Sequence, residues 1–217
     1  MRREPTRGSF GFSPHEIRSP MRKEWLNSCE DLFVIRDFLS PAECTEQIAR
    51  SEAIGFGDAP INGLAGPVIN KRMRNNERVM IDDHGLATSL WERLRAFVPA
   101  QRGLRWKAVG VNERFRYYRY DPGQRFHWHY DGAFERSPRE VSALTVLVYL
   151  NEGFDGGQTE FQFLAGGGSD ESGEITVVPV AGMALVFVHG ILHQGAAVAR
   201  GRKYVLRTDV MYRYGDA

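Results

Sequence analysis

From about residue 105 onward the chain is a succession of apolar runs separated by turn signals, and no other feature restricts its fold as tightly. "LRWKAVGVNERFRYYRY", "VSALTVLVYLN", "EITVVPV", "MALVFVHG" and "RKYVLRTDVMYR" are rich in Val, Tyr, Phe, Leu and Thr, side chains that fit a pleated surface. Asp121-Pro122-Gly123, Asp155-Gly156-Gly157, Ala181-Gly182 and Ala199-Arg200-Gly201 punctuate them. Several runs are apolar at consecutive positions, so both faces of those strands need cover, as in a sandwich or jelly roll.

The N-terminal half reads differently. Residues 1–29 are rich in Arg, Pro, Ser and Gly without apolar periodicity, which predicts a flexible arm. "DLFVIRDFLS" predicts a short strand. Ser40-Pro41 then opens a helix through Gln47 and Ile48, a serine cap followed by proline at the first helical position. Residues 54–70 are Gly-rich and irregular. A second helix is predicted over 84–97, with Leu86, Leu90, Leu94 and Phe97 near one face. "LAGGGSDESGE" (164–174) has the composition of a flexible loop. The expected class is α+β: the arm, then one domain over 30–217, with 30–100 as helical support and 101–217 as a jelly-roll core.

Composition narrows function. The 217 residues carry a formal charge of only +1, which gives no electrostatic case for a nucleic-acid or membrane partner. Cys29 and Cys44 form no disulfide or metal pattern, and the N-terminus lacks an apolar targeting segment, so the expected location is the cytoplasm.

"RFHWHYDG" (125–132) places His127, His129 and Asp131 at every second position. On a regular strand all three share one face. An imidazole and a carboxylate in this spacing supply two of the three ligands of the two-histidine, one-carboxylate arrangement that suits non-heme Fe(II) oxygenases. The remaining histidine must come from His15, His84, His189 or His193, the last two within "FVHGILHQG". Taken alone the motif also fits a strand with histidines on a polar face.

The features around it resemble the Fe(II)- and 2-oxoglutarate-dependent dioxygenases, in particular their prolyl 4-hydroxylase-like branch. Tyr120 and Gly123 stand ahead of His129 and Asp131. Tyr149-Leu150-Asn151 follows, then Gly156, Gly157, Thr159 and Phe161, and "VVPVAGMALVF" precedes the distal His193. Lys203 lies ten positions after that histidine. The resemblance spans roughly 31–215 and implies a double-stranded β-helix core supported by N-terminal helices. It implies His129, Asp131 and His193 as iron ligands, and a carboxylate in that set favours hydroxylation over halogenation. His189 belongs on the pocket rim, and His127 is left as a substrate-contacting candidate.

The same resemblance implies 2-oxoglutarate, whose distal carboxylate needs a buried cationic partner. Lys203 matches that position, with Tyr149, Thr145 and Tyr120 as further cofactor contacts. Residue pattern alone points elsewhere. Tyr204, Leu206, Val210 and Tyr212 form the apolar set of that strand, which puts Lys203, Arg207 and Asp209 on a solvent face. Arg207 is therefore the rival carboxylate partner, or a contact for substrate or Asp209. The implied activity is hydroxylation of a C–H bond, foremost of a prolyl or other amino-acid residue in a protein or peptide. Fe(II), 2-oxoglutarate and O2 take part, with ascorbate as a stimulant. The alternatives are a hydroxylase of a free amino acid or other small molecule, and a non-catalytic 2-oxoglutarate sensor. The loop 131–141 and the segment 54–77 frame the expected entrance, and their charges (Arg72, Arg74, Glu135, Arg136, Arg139) suggest a polar substrate.

Overall fold

Most strands form two antiparallel sheets that face each other, with the helices packed on the outer face of the larger one, and two short strand pairs lie outside them. The structure, a computed structural model, describes residues 20–63, 66–163 and 173–215. Along its main path the large sheet runs Arg22–Trp25, Leu32–Arg36, Ala184–Val188, Glu140–Tyr149, Lys203–Tyr214, Arg114–Tyr120, Glu77–Asp82 and Gly57–Asp58. The small sheet runs Phe126–His129, Leu192–Gly195, Thr159–Phe163 and Gly173–Val177. Neither sheet closes on itself, and the arrangement is the jelly roll anticipated for this chain. No helix among the described residues is long and apolar enough to cross a membrane.

Two buried clusters account for the runs that are apolar on both faces. Phe33, Ile35, Val146, Val148, Ala184, Val186, Leu206 and Val210 pack toward Leu90 and Leu94 of the second helix. Their strand neighbours Leu32, Val34, Tyr149, Leu185, Phe187 and Val205 face the small sheet and meet Phe161, Val177 and Ile191. A strand covered on both sides needs apolar residues at odd and even positions alike.

The first helix, Pro41–Ile54, begins where Ser40-Pro41 predicted. The Ser40 side chain accepts from the Glu43 backbone N–H, and the Glu43 carboxylate accepts from that of Ser40, a capping box. The second helix, His84–Leu94, is capped by Asp83 and ends three residues short of the predicted Phe97.

Several expectations need correction. Arg22–Trp25, within the stretch read as an arm, is a strand paired with Leu32–Arg36. The segment 30–100 is more than helical support, because Leu32–Arg36 and Glu77–Asp82 both join the large sheet. The rest of the predicted arm (1–19), including His15, and most of the predicted 164–174 loop lie outside the described residues.

The Ala181-Gly182 turn joins the sheets to the first helix. Gly182 has φ +78°, and a Cβ there would sit 2.1 Å from the Leu39 carbonyl oxygen. That close approach lets Gly182 O accept from Leu39 N–H while Gly182 N–H donates to Tyr149 O.

Candidate active site

His129 ends one edge strand of the small sheet, and His193 lies directly opposite it in register on Leu192–Gly195. The register contains a bulge: Phe126 pairs with Gly195 and His129 with His193, so one side has an extra residue. Alternation fails at that point. Phe126, not His127, shares the face of His129, and the two rings stack with centroids 3.5 Å apart. His127 is exposed, and its Nδ1 accepts from the Trp128 backbone N–H. The expectation that His127 stands beside the ligands is therefore wrong, because the bulge turns it away.

His129, Asp131 and His193 offer ligand atoms that all lie within 4.8 Å of one another. The Nδ1 of His129 is hydrogen-bonded to His127 O at 2.7 Å, and that of His193 to Ile191 O at 2.9 Å. Nδ1–H donation to these carbonyls leaves each Nε2 lone pair for a metal. Both Nε2 atoms stand 3.7 Å from a carboxylate oxygen of Asp131. Burial, then the neighbouring His193, pushes the His129 pKa down to about 3, and burial also lowers His193. Both rings are thus neutral, as ligands must be. Burial would raise the Asp131 pKa, but Arg207 foremost, then the two histidines and Thr145, hold it well below the carboxylate range. Two neutral imidazoles and one carboxylate converging from two elements fit a divalent iron ion.

Asp131 is held from three directions. Its backbone N–H donates to His189 O at 3.1 Å. The Thr145 hydroxyl donates to Oδ2 at 2.6 Å, and Arg207 Nη1 lies 2.7 Å from Oδ1. Behind Thr145, His189 Nδ1 is 2.9 Å from the threonine oxygen and His189 Nε2 is 2.8 Å from Ser142 Oγ. Since Thr145 gives its only proton to Asp131, it accepts from His189 Nδ1–H, and the neutral imidazole then accepts from Ser142. His189 is neither ligand nor rim but a buried support. Thr145, expected at the cofactor, is engaged with Asp131 instead. His84 is exposed at the start of the second helix.

The Lys203–Tyr214 strand corrects the reading from residue pattern. Its odd positions from Lys203 to Asp209 do not face solvent. Lys203, Val205 and Arg207 line the pocket beside His129, Asp131 and His193, since the small sheet covers that face. Lys203 is 3% exposed and has no carboxylate within ion-pair distance among the described residues. Its ammonium donates to Gly157 O at 2.6 Å and stands 5.1 and 5.5 Å from the ring centres of Tyr120 and Tyr149. Burial pushes its pKa down to about 7. A buried cation without a counter-ion fits the distal carboxylate of 2-oxoglutarate. Asn151 fixes this end of the strand, accepting from Tyr204 N–H and donating to Arg202 O, both at 2.7 Å. Tyr120 lines the pocket. Tyr149 lies just behind it, its hydroxyl 2.7 Å from that of Thr159, which does reach the pocket.

Sequence reasoning missed the rest of the wall. Tyr118 was findable, because it is two residues before Tyr120 on one strand. Phe126 was not, because its placement depends on the bulge.

Comparison with known proteins agrees with this geometry. Residues 115–208, which carry the three candidate ligands, Lys203 and Arg207, match the 2OG-Fe(II) oxygenase superfamily. No curated protein matches the chain. Among solved structures it is similar to a prolyl-4-hydroxylase from Pseudomonas putida (21% identity, TM-score 0.59, 86% of this chain and 94% of that one). It is likewise similar to a viral collagen prolyl hydroxylase from Paramecium Bursaria Chlorella virus-1, in complex with 2OG (20%, 0.55, 86% and 99%). A third is a prolyl hydroxylase from Trichoplax adhaerens, in complex with a hypoxia inducible factor peptide fragment (18%, 0.64, 83% and 83%). Residues 115–208 thus carry the pattern of the 2OG-Fe(II) oxygenase superfamily, and the fold is the jelly roll shared with these prolyl hydroxylases.

Proposed function

We propose that the protein couples decarboxylation of 2-oxoglutarate to hydroxylation of a C–H bond of an amino-acid residue, prolyl foremost, with O2 as co-substrate and ascorbate as a supporting reductant. The observation that carries this reading is the convergence of His129, Asp131 and His193 in the pocket that also holds the unpaired ammonium of Lys203. The prolyl hydroxylase fold, and the peptide bound to the Trichoplax neighbour, support an amino-acid residue as substrate.

The chain's own residues divide the work. His129, Asp131 and His193 would hold iron(II), which supplies the O2-dependent oxidation that links the two half-reactions. Backbone carbonyls fix both imidazoles, and Phe126 stacked on His129 sets that ring's plane. Lys203 meets the distal carboxylate of 2-oxoglutarate. The Tyr149 and Thr159 hydroxyls share one hydrogen bond and so retain one proton between them to donate to the same anion. Leu147 and Val205 line the pocket with apolar surface that keeps water out.

The test is incubation of the full chain with Fe(II), 2-oxoglutarate, O2 and proline-containing peptides, reading succinate and peptide mass. Succinate with a peptide that gains one oxygen atom, both abolished in His129→Ala, is the expected result. Wild-type succinate formation equal to that of His129→Ala overturns the reading.

A further inference from the structure

Beyond the metal ligands Tyr118 and Arg207 line the pocket, and more positive charge gathers around them than the proposed chemistry uses. Three neighbouring strands of the large sheet share one face. On it Arg78 stands opposite Tyr118, and Arg116 stands between Met80 and Arg207. Arg74 enters the same region from the preceding segment, its guanidinium 4.4 Å from the Tyr118 ring centre and 4.3 Å from that of Phe126. Four guanidinium groups thus gather around Tyr118, and the carboxylates among them are Asp131 and Asp209. Asp209 is taken up by Arg116 at 2.9 Å and Arg207 at 3.3 Å. Asp131 is taken up by Arg207 and belongs to the metal.

Three buried donors here make no well-formed hydrogen bond among the described residues: Arg74 Nη2, the Tyr118 hydroxyl and Arg207 Nε, with the Tyr118 hydroxyl standing beside Arg207. Arg74 is 4% exposed, and its Nε is held by Asn76 Oδ1 at 2.8 Å, so the guanidinium is fixed with one edge unsatisfied. An unmatched buried donor is costly unless a ligand completes it. The local potential agrees. Burial raises the Tyr118 pKa, but Arg207, Arg74 and Arg116 pull it below its ordinary value. Lys203 is not part of this group; it lies at the other end of the same strand face, opposite Tyr120.

We propose that Arg74, Tyr118 and Arg207 form a carboxylate-binding subsite for the substrate, so that the hydroxylated molecule carries its own carboxylate close to the reacting C–H. This rests on the oxygenase reading above and narrows its substrate class to acids. The acid can be a free amino acid, the C-terminal residue of a peptide, or an aspartyl or glutamyl side chain.

The experiment uses the full chain loaded with Fe(II) and saturated with 2-oxoglutarate, oxygen excluded. Binding is read by calorimetry and by ligand-observed NMR. Three probe sets are compared: the free L-amino acids, their primary amides, and their N-acetyl acids. At least one carboxylate-bearing probe is expected to bind about tenfold or more tightly than its carboxylate-free counterpart, the scale of one charge-assisted hydrogen bond left unmade. Preference confined to free amino acids identifies the first source, and equal binding of N-acetyl acids the second. Binding by only the aspartyl and glutamyl members of the amide set identifies the third. The preference is expected to fall below about threefold in both Arg74→Gln and Tyr118→Phe, the latter removing only a hydroxyl.

Acids binding no more tightly than carboxylate-free amides overturns the subsite, as does the absence of any binding acid. Acids that displace 2-oxoglutarate also overturn it, since the arginine face is then the cofactor's own. Failure of the Fe(II) protein to take up 2-oxoglutarate is a different result, and it removes the oxygenase reading together with the subsite.

Discussion

The hydroxyl of Thr145 donates to Oδ2 of Asp131 at 2.6 Å, so a residue fourteen positions further along the chain sets the orientation of the proposed carboxylate ligand. His189, on the far side of Thr145, leaves that hydroxyl no other direction for its proton. Thr145→Val keeps the shape and removes the bond. Metal affinity is expected to fall roughly tenfold to a hundredfold, as when a ligand loses its outer partner. Thr145→Ser restores it. Equal affinity in all three proteins contradicts the supporting role.

The two histidines proposed as ligands predict an unusual pH profile. Metal binding requires neutral imidazoles, so protons compete only below the imidazole pKa. Two rings at the ordinary value of 6.5 would weaken binding roughly a hundredfold between pH 7.5 and 5.5. Here His129 titrates at about 3 and His193 is also lowered, both through burial first. Calorimetric titration with Zn(II) is expected to change less than about threefold over that range, and a hundredfold loss contradicts the assignment.

Lys203 couples cofactor binding to stability. Its pKa is about 7 in the fold against an ordinary 10.5, so the unfolded chain binds more protons between those values. Stability therefore rises with pH across that window, and the deficit is fully present below pH 7. Lys203→Met removes the deficit. At pH 6.5 the Tm of the cofactor-free protein is expected to rise by at least about 2–4 °C, the shift that ~1 kcal/mol produces in a chain of this size. The gain disappears near pH 10, and 2-oxoglutarate affinity is lost. An unchanged Tm with unchanged affinity contradicts the placement of Lys203 as the buried cation.

Gly182 tests the joint between sheet and helix. With φ +78° and only 2.1 Å from a would-be Cβ to Leu39 O, Gly182→Ala is expected to destabilise the fold by ~2 kcal/mol or more. Urea unfolding reads this as a lower midpoint with an unchanged slope. A midpoint within error of wild type contradicts the close approach.

Local signals were legible where they act alone. Ser40-Pro41 began a helix because its cap is satisfied within three residues. The proposed ligand set followed from the resemblance in ordered motifs, and its three residues do converge. Position-by-position facing was legible only where tertiary cover matched the simplest pattern. Lys203 and Arg207 read as solvent-facing because alternation cannot tell water from a second sheet, and here a second sheet lies over them. His127 failed for a local reason, since a single bulged residue before His129 exchanges it with Phe126. The Arg207–Asp131 pair was not legible at all. It joins a residue inside a strand to a loop 76 positions away, and no local pattern encodes that distance.

The central claim is that these side chains form one site for Fe(II) and 2-oxoglutarate, and titration of 2-oxoglutarate into the Fe(II)-loaded protein without oxygen tests it most directly. The account predicts saturable binding that needs the metal, is lost in His129→Ala and weakens in Lys203→Met. Failure of the loaded wild-type protein to bind 2-oxoglutarate, or binding indifferent to His129, would contradict it.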